Sequence, residues 1–355
     1  MATTAAAGKP AELAAARPYA PSWLHALHSA IAALPGPAWL AFVGVGLLVG
    51  LFTQVQFTEN GTNQPNTLYI PSLYWAFMGG SILWSVGAFQ RLAERAFDAF
   101  RPALVADEPS AAKLRYELAV IPAQGSAVLL VGSALVTAAA FVLAPEDAGV
   151  VGLSPPILVG AFLTQALAGG VMFTLAYQLL RQMRLIRGAL ADASVDLFRP
   201  GPLQALSRIT ARTGLGLVVI IGSSVLVLPP PPDLTSLLVN WAPFLVVPPA
   251  IAAIAFLVPL SGMHERLEDE KARLLGEAED RLRLVLDDLN HDVDAKDLSR
   301  ADGLSKQLAS MVQQRDLIAK LPTWPWSSGT FRAFVTAILL PLFLFIIQRL
   351  LTQVV

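Results

Sequence analysis

Few polar side chains of this chain stand where they could do chemistry, and none has the spacing of a catalytic motif. Ser223 and Ser224 are possible nucleophiles inside an apolar run, but that run carries no His or Asp to activate them. His25 and His28 lie three residues apart on a helix-like segment, a spacing that suits two metal ligands, yet no third ligand follows nearby. We therefore expect no enzyme, no catalytic residue, no metal site and no cofactor, and we interpret the two histidines as solvated groups at a membrane interface.

A group of aspartates between positions 287 and 297 also raises the question of cation binding. A calcium loop alternates acidic residues and then requires a Gly and a distal Glu. Here Lys296 and Asp297 break that pattern. The sequence favours a solvated turn between two helices.

The polar residues of greatest functional interest lie near the two ends of the last apolar run. Arg332 and Thr336 lie near its beginning, Gln348 and Thr352 near its end, and Pro341 lies between the two pairs. On a straight helix the pairs fall on roughly opposite faces. A kink at Pro341 would turn both pairs toward a common lumen, so we treat the four as candidate pore-lining residues and Pro341 as a candidate hinge. The alternative is that both pairs are interfacial.

Seven long apolar runs make up most of the chain. A transmembrane helix needs about 20 mostly apolar residues, and most of the runs reach that length. The composition, 55% hydrophobic and 14% charged, is far from that of a soluble domain. The runs cover residues 38–56, 72–90, 120–144, 157–180, 210–228, 240–262 and 329–351.

The distribution of Lys and Arg predicts the orientation. Basic residues concentrate in cytoplasmic loops because they resist translocation. Two kinds of connection alternate along the chain. The first kind has no Lys or Arg and comprises residues 57–71, 145–156 and 229–239. The second kind holds most of the 25 Lys and Arg residues and comprises 91–119, 181–209 and 263–328. We therefore predict an all-α polytopic membrane protein with seven transmembrane helices, the N-terminus inside and the C-terminus outside. Arg349 is then the single cation on the outer side.

The predicted organisation has five parts. Before the last span, two amphipathic stretches with apolar residues at alternating spacings of three and four predict an antiparallel helical hairpin in the cytoplasm, broken at residues 290–294. Its apolar seam contains Leu275, Leu282, Leu289, Leu304 and Leu308. The parts are a disordered N-terminus (1–20), an interfacial amphipathic helix (21–37), a six-helix transmembrane domain (38–262), the hairpin (263–328) and the final transmembrane helix (329–355).

Small residues predict close helix packing inside the membrane. Gly46 and Gly50 form a GxxxG pair in the first run, a pattern that lets two helices approach closely. The partner is another helix of the same chain or a helix of a second subunit, and the sequence leaves both open.

The absence of charge from the middles of the first six runs argues against several transport mechanisms. Proton-coupled carriers and pumps usually carry an ionisable relay residue at that depth. We also detect no internal repeat of the kind common in solute carriers. A solute carrier is therefore the third choice, behind a channel and a non-conducting sensor or scaffold.

The plan of residues 21–355 resembles the insect odorant and gustatory receptors. The shared features are seven spans with the N-terminus inside, fourth and sixth helices that extend into the cytoplasm, and a last helix divided into a cytosolic and a membrane arm. Thr330 and Phe331 resemble the start of the gustatory signature, whose later Gln-Phe pair has no counterpart here. The resemblance implies four subunits that meet through the cytosolic helices, with the last helix around a cation pore.

The functional expectation is a homo-oligomeric ion channel, tetrameric by that resemblance, with a small molecule as a possible gating ligand. The alternative is a non-conducting sensor or scaffold whose hairpin recruits a cytosolic partner. The expected partners are the lipid bilayer and further copies of the chain, with no nucleic acid. The Ala-rich, Cys-free composition resembles that of bacterial proteins, which predicts a multi-pass protein of a bacterial inner membrane.

Overall fold

The fold is all-α, as the sequence predicts. The computed structural model describes residues 18–146, 148–223, 246–295 and 299–354. It is about 81% helical, with no strand in these ranges. Several predictions lie outside the described residues: the disordered segment 1–20 up to residue 17, the outer connection 229–239, and Ser224.

Ten α-helices follow one another in the described part of the chain. They are α1 (Trp23–Ala32), α2 (Ala38–Glu59), α3 (Ile70–Phe100), α4 (Glu108–Ala119), α5 (Ala123–Leu143), α6 (Pro155–Ala191), α7 (Gly201–Gly222), α8 (Val247–Asp294), α9 (Ala301–Ala319) and α10 (Ser328–Val354).

Five of these helices are long and apolar enough to cross a membrane, namely α2, α5, α6, α8 and α10. The other two helices that match apolar runs, α3 and α7, do not reach that apolarity within the described residues. Tyr, Trp, Ser and Gly side chains dilute the first half of α3, and the predicted end of the fifth run at residue 228 lies beyond the described part of α7.

Glycines bring α2 and α3 into close antiparallel contact. A Cβ at Gly50 would lie 2.6 Å from Ala76 Cβ and 2.8 Å from the Ser72 carbonyl oxygen, and a Cβ at Gly80 would lie 2.8 Å from the Phe42 carbonyl oxygen. Gly46 meets the Ala76 carbonyl in the same way. The GxxxG pair of α2 therefore packs inside the chain, which decides between the two partners that the sequence left open.

The largest cluster of buried residues surrounds α7, at the end of the bundle where α3 and α6 extend past the apolar region. Leu206 and Ile209 of α7 are fully buried there beside Phe100 and Phe256. The long α6 confirms the predicted helical extension past residue 180, since it continues to Ala191. The largest buried core of the described residues thus lies at this end of the helix bundle.

The first helix is embedded in the bundle rather than exposed at its edge. Leu24 is completely buried, and Trp23 Nε1 donates to the Ser126 carbonyl at 3.1 Å. His28 Nδ1 lies 3.0 Å from the Leu83 carbonyl oxygen, and its ring stacks on Phe42. The interpretation of the histidines as solvated is therefore wrong, because α1 packs on α2, α3 and α5 and covers both rings in part.

Candidate functional site

The predicted helical hairpin is present as an antiparallel pair formed by the second half of α8 and by α9. Contacts between the arms run in opposite order along the chain: Lys271 Nζ donates to the Leu321 carbonyl at 2.8 Å, and Arg315 Nε lies 3.3 Å from Glu279 Oε1. At the tip, Arg300 Nη2 lies 2.5 Å from Asp292 Oδ1. The sequence suggested a break in the first arm at residues 290–294, but the helix continues to Asp294.

The seam of the hairpin is only partly covered within one chain. The five predicted seam leucines, Leu275, Leu282, Leu289, Leu304 and Leu308, are all half-buried. The fully buried seam positions are Ala278, Val285 and Ile318. Other large apolar side chains of the hairpin face solvent, among them Leu284 and Leu317. Two helices alone therefore leave part of the apolar surface of the hairpin uncovered.

An aromatic stack joins the base of the hairpin to the last helix. The segment between α9 and α10 turns back on α8, where the Trp324 ring stacks on the His264 ring with centroids 3.7 Å apart. Trp326 stacks next on Trp324 at 4.5 Å and contacts Phe256, which in turn packs on Phe334 of α10 at 4.3 Å. The stack is therefore a continuous packed path from α8 to α10.

Hydrogen bonds hold the same junction in place. His264 Nδ1 lies 3.1 Å from the Thr323 carbonyl oxygen, and His264 Nε2 lies 3.3 Å from Glu268 Oε1. Arg266 donates to the backbone carbonyls of Leu190, Ala191 and Ala193, at and just past the C-terminal end of α6. The last carbonyls of a helix have no hydrogen-bond partner within the helix and carry partial negative charge. A guanidinium at that position both donates hydrogen bonds to these carbonyls and offsets their charge. The base of the hairpin is thereby fixed to α6 as well as to α10.

The last helix packs on the rest of the chain through one face. Phe334, Ala337 and Phe345 are buried, and within the described residues α10 contacts α7 and α8. Arg332 and Thr336 lie on the opposite face, which the described helices leave exposed. The apolar Leu339, Phe343 and Ile347 continue that exposed face along α10, and all three are also exposed.

The two pairs of candidate pore residues do not share a face within one chain. Gln348 is half-buried and follows the packed residues at helical spacing, three residues after Phe345. The helix continues without interruption through Pro341. The side chains of Pro341 and Thr352 lie outside the described ones, so the hinge and the fourth pore residue stay predictions.

A second polar site lies inside the bundle, where five elements meet around the carbonyl of Leu118. Gln178 Nε2 and Gln182 Nε2 both donate to it, at 3.1 and 2.8 Å. Both glutamines line a cavity of about 20 Å³, as do His25 and Thr213. Beyond the presence of polar residues near the ends of apolar runs, no pattern in the sequence predicts this cluster.

Three buried polar atoms of the lining residues have no protein partner within the described part of the chain. They are Gln178 Oε1, Gln182 Oε1 and Thr213 Oγ1, while the His25 ring lies beside the Ala119 backbone. A polar cavity of this size is large enough for one water molecule with two or more partners. Burial lowers the pKa of His25 below its ordinary value of 6.5, so the ring at this site is neutral at pH 7.

Comparisons with known proteins add no functional assignment. No protein-family model, no curated protein and no solved structure matches the chain. Its function therefore has to be argued from the placement of its own residues.

Proposed function

We propose that the chain is a homo-oligomeric ion channel of the cell membrane, tetrameric by its resemblance to the insect receptors, with α10 of each copy beside a central pore. The observation that carries the proposal is the exposed face of α10. Polar residues of membrane helices usually face protein or water rather than lipid, and the described helices of one chain leave Arg332 and Thr336 uncovered. Copies arranged around an axis would give them an aqueous mouth.

Helix packing supports a count of seven spans. α3 lies along the spanning helix α2 through the Gly46, Gly50 and Gly80 contacts, so α3 shares its depth in the bilayer. α7 packs on α3, α8 and α10, two of which are apolar enough to span. The cation-free connections favour the orientation with the N-terminus inside. In that orientation the hairpin is cytoplasmic, and Arg332 lies at the inner mouth.

The exposed face of α10 suggests how the pore would be closed. Beyond Arg332 and Thr336 it continues with Leu339, Phe343 and Ile347. Rings of apolar side chains close channels by excluding water. The aromatic stack from His264 to Phe334 would transmit a movement of the hairpin to α10, so the hairpin, or a small molecule bound elsewhere, would open the constriction by shifting α10.

The experiment is ion flux from proteoliposomes with purified wild type, Arg332→Glu, Gln348→Leu and Lys320→Glu. A ring of arginines disfavours cations, so reversing its charge is expected to raise the cation-to-anion flux ratio several-fold. Lys320 is an exposed cation at the base of the hairpin, and Lys320→Glu is expected to leave that ratio unchanged. Gln348→Leu is expected to leave that ratio unchanged as well, because Gln348 lies on the packed face of α10 and not on the face of Arg332 and Thr336. Folded protein without flux at any voltage, pH or ligand would refute the channel.

A second function, a sensor or scaffold that recruits a cytosolic partner, is favoured by the uncovered surface of the hairpin. Leu284 and Leu317 are 66% and 58% exposed on helices that leave the membrane. Water-facing apolar surface of this kind usually marks a protein contact. If the hairpin binds a different protein rather than other copies of the chain, the purified protein will be monomeric in detergent and carry no flux.

A further inference from the structure

An open groove runs along the outer surface of α2 and α3 and has the shape and lining of a site for a lipid chain. Its volume is about 390 Å³, and its walls are apolar and aromatic. Leu47 and Val43 of α2 face Phe77 and Ser81 of α3 across it. The glycine contacts described above hold the helix backbones close together, so the larger side chains on either side stand above them as walls.

Two tryptophans define one end of the groove. Trp39 is the second residue of α2, and Trp84 lies at the same level of the antiparallel α3, because Gly80 meets Phe42. Both are about half exposed, at 59% and 49%. Trp side chains gather at the level of lipid headgroups. This end of the groove therefore lies at a membrane interface, on the side where α1 packs.

Positive charge lies directly beyond the tryptophans. Arg91 and Arg95 follow Trp84 at helical spacing on the same face of α3, and at ~1.5 Å per residue they lie about 10 to 16 Å further along the helix. Both are exposed, and neither forms an ion pair within the described residues. The nearby carboxylates have other partners, since Glu94 accepts from Gln90 and Asp98 pairs with Arg115.

We propose that this groove is a binding site for an anionic phospholipid. One acyl chain lies between α2 and α3, and the phosphate lies against Arg91 and Arg95. Charge complementarity identifies the occupant, because a guanidinium next to an apolar groove matches a lipid whose phosphate adjoins its acyl chains. Lipid binding at this groove goes beyond ion conduction and requires only that α2 and α3 lie in the membrane. The lipid site can therefore be disproved without disproving the channel, and the channel can be disproved without disproving the lipid site.

The test measures lipid retention by the full-length protein in nanodiscs of equal parts phosphatidylglycerol and phosphatidylcholine. Lipids that remain with the protein after transfer to detergent are counted by mass spectrometry. The variants are Arg91→Gln/Arg95→Gln, which removes the charge, and Ser81→Phe, which fills the groove. Arg184→Gln/Arg187→Gln is the matched control, because it removes two exposed arginines of α6 that lie away from the groove and form no ion pair with any residue that the structure describes.

Loss of both groove arginines is expected to lower the preference for the anionic lipid about five- to thirty-fold. Ser81→Phe is expected to lower retention of both lipids, and the control to change neither. Equal losses in the two arginine pairs would overturn the proposal in favour of a diffuse surface charge. Displacement of the lipid by inorganic phosphate alone would assign the arginines to a free anion, and unchanged retention in Ser81→Phe would remove the groove; either result also overturns the proposal.

Discussion

The contact between α2 and α3 makes a sharp prediction, because two glycines on the same turn of α2 differ only in what lies opposite. A Cβ at Gly46 would overlap the Ala76 carbonyl oxygen and lie 3.2 Å from the Gly80 nitrogen. Both are backbone atoms, so neither can rotate away. A Cβ at Gly44 would meet nothing within 4 Å. Gly46→Ala must therefore separate the helices, whereas Gly44→Ala need not.

The expected difference is large enough to measure. Overpacking of a tight contact costs about 1–3 kcal/mol, while Gly→Ala in a free helical position gains up to ~1 kcal/mol. Both variants gain that helix propensity, so they should differ by the overpacking cost of about 1–3 kcal/mol, or several degrees in Tm. Thermal unfolding in detergent, followed by tryptophan fluorescence, measures this difference. Equal melting of Gly46→Ala and Gly44→Ala would refute the close packing of α2 on α3, and with it the walls of the lipid groove.

Three further predictions concern the hairpin and the buried polar site. Leu282→Asp places a charge on the half-buried seam and should cost about 2 kcal/mol, whereas Leu284→Asp, two residues away on the exposed side, should stay within ~0.5 kcal/mol of wild type; equal melting of the two would remove the seam. Burial lowers the pKa of His25, so just below pH 6.5 the unfolded chain binds more protons than the folded chain. The free energy of unfolding should therefore decrease as the pH is lowered in this range. His25→Gln should abolish this pH dependence, and a pH dependence that persists in the variant would contradict the assignment. Thr213→Val should destabilise the protein by ~1 kcal/mol if Thr213 Oγ1 bonds a water in the cavity, while Thr174→Val, at a buried hydroxyl that does not line it, should be neutral or stabilising; the reverse order would show the cavity to be dry.

The positions of the helices were predictable because apolar length is a strong local signal. The extension of α6 to Ala191 and the antiparallel hairpin followed from the helical spacing of apolar residues. The amphipathic pattern of α1 also predicted a helix, but a one-sided pattern does not say what covers the apolar face. Leu24 is covered by protein, which is why the histidines beside it are not solvated.

The candidate site was predictable only in part, because its contacts join distant parts of the chain. His264 meets Thr323 and Trp324 across about 60 positions of sequence, and Arg266 reaches the end of α6 across more than 70. The only local signals were a His at the end of an apolar run and the Trp-Pro-Trp segment. The sequence alone places Arg332 and Thr336 on one face of a helix. It does not predict that the other helices leave this face uncovered.

The proposed position of Arg332 and Thr336 of α10 at a conducting pore can be tested by blocking an introduced thiol. The chain has no cysteine, so Thr336→Cys provides a single reactive thiol. Ala337→Cys, the next residue on the packed face, is the control. In proteoliposomes, a membrane-impermeant charged thiol reagent should stop ion flux through Thr336→Cys and leave wild type and Ala337→Cys unchanged. Complete labelling of Thr336→Cys with undiminished flux would show that the pore, if one exists, lies elsewhere.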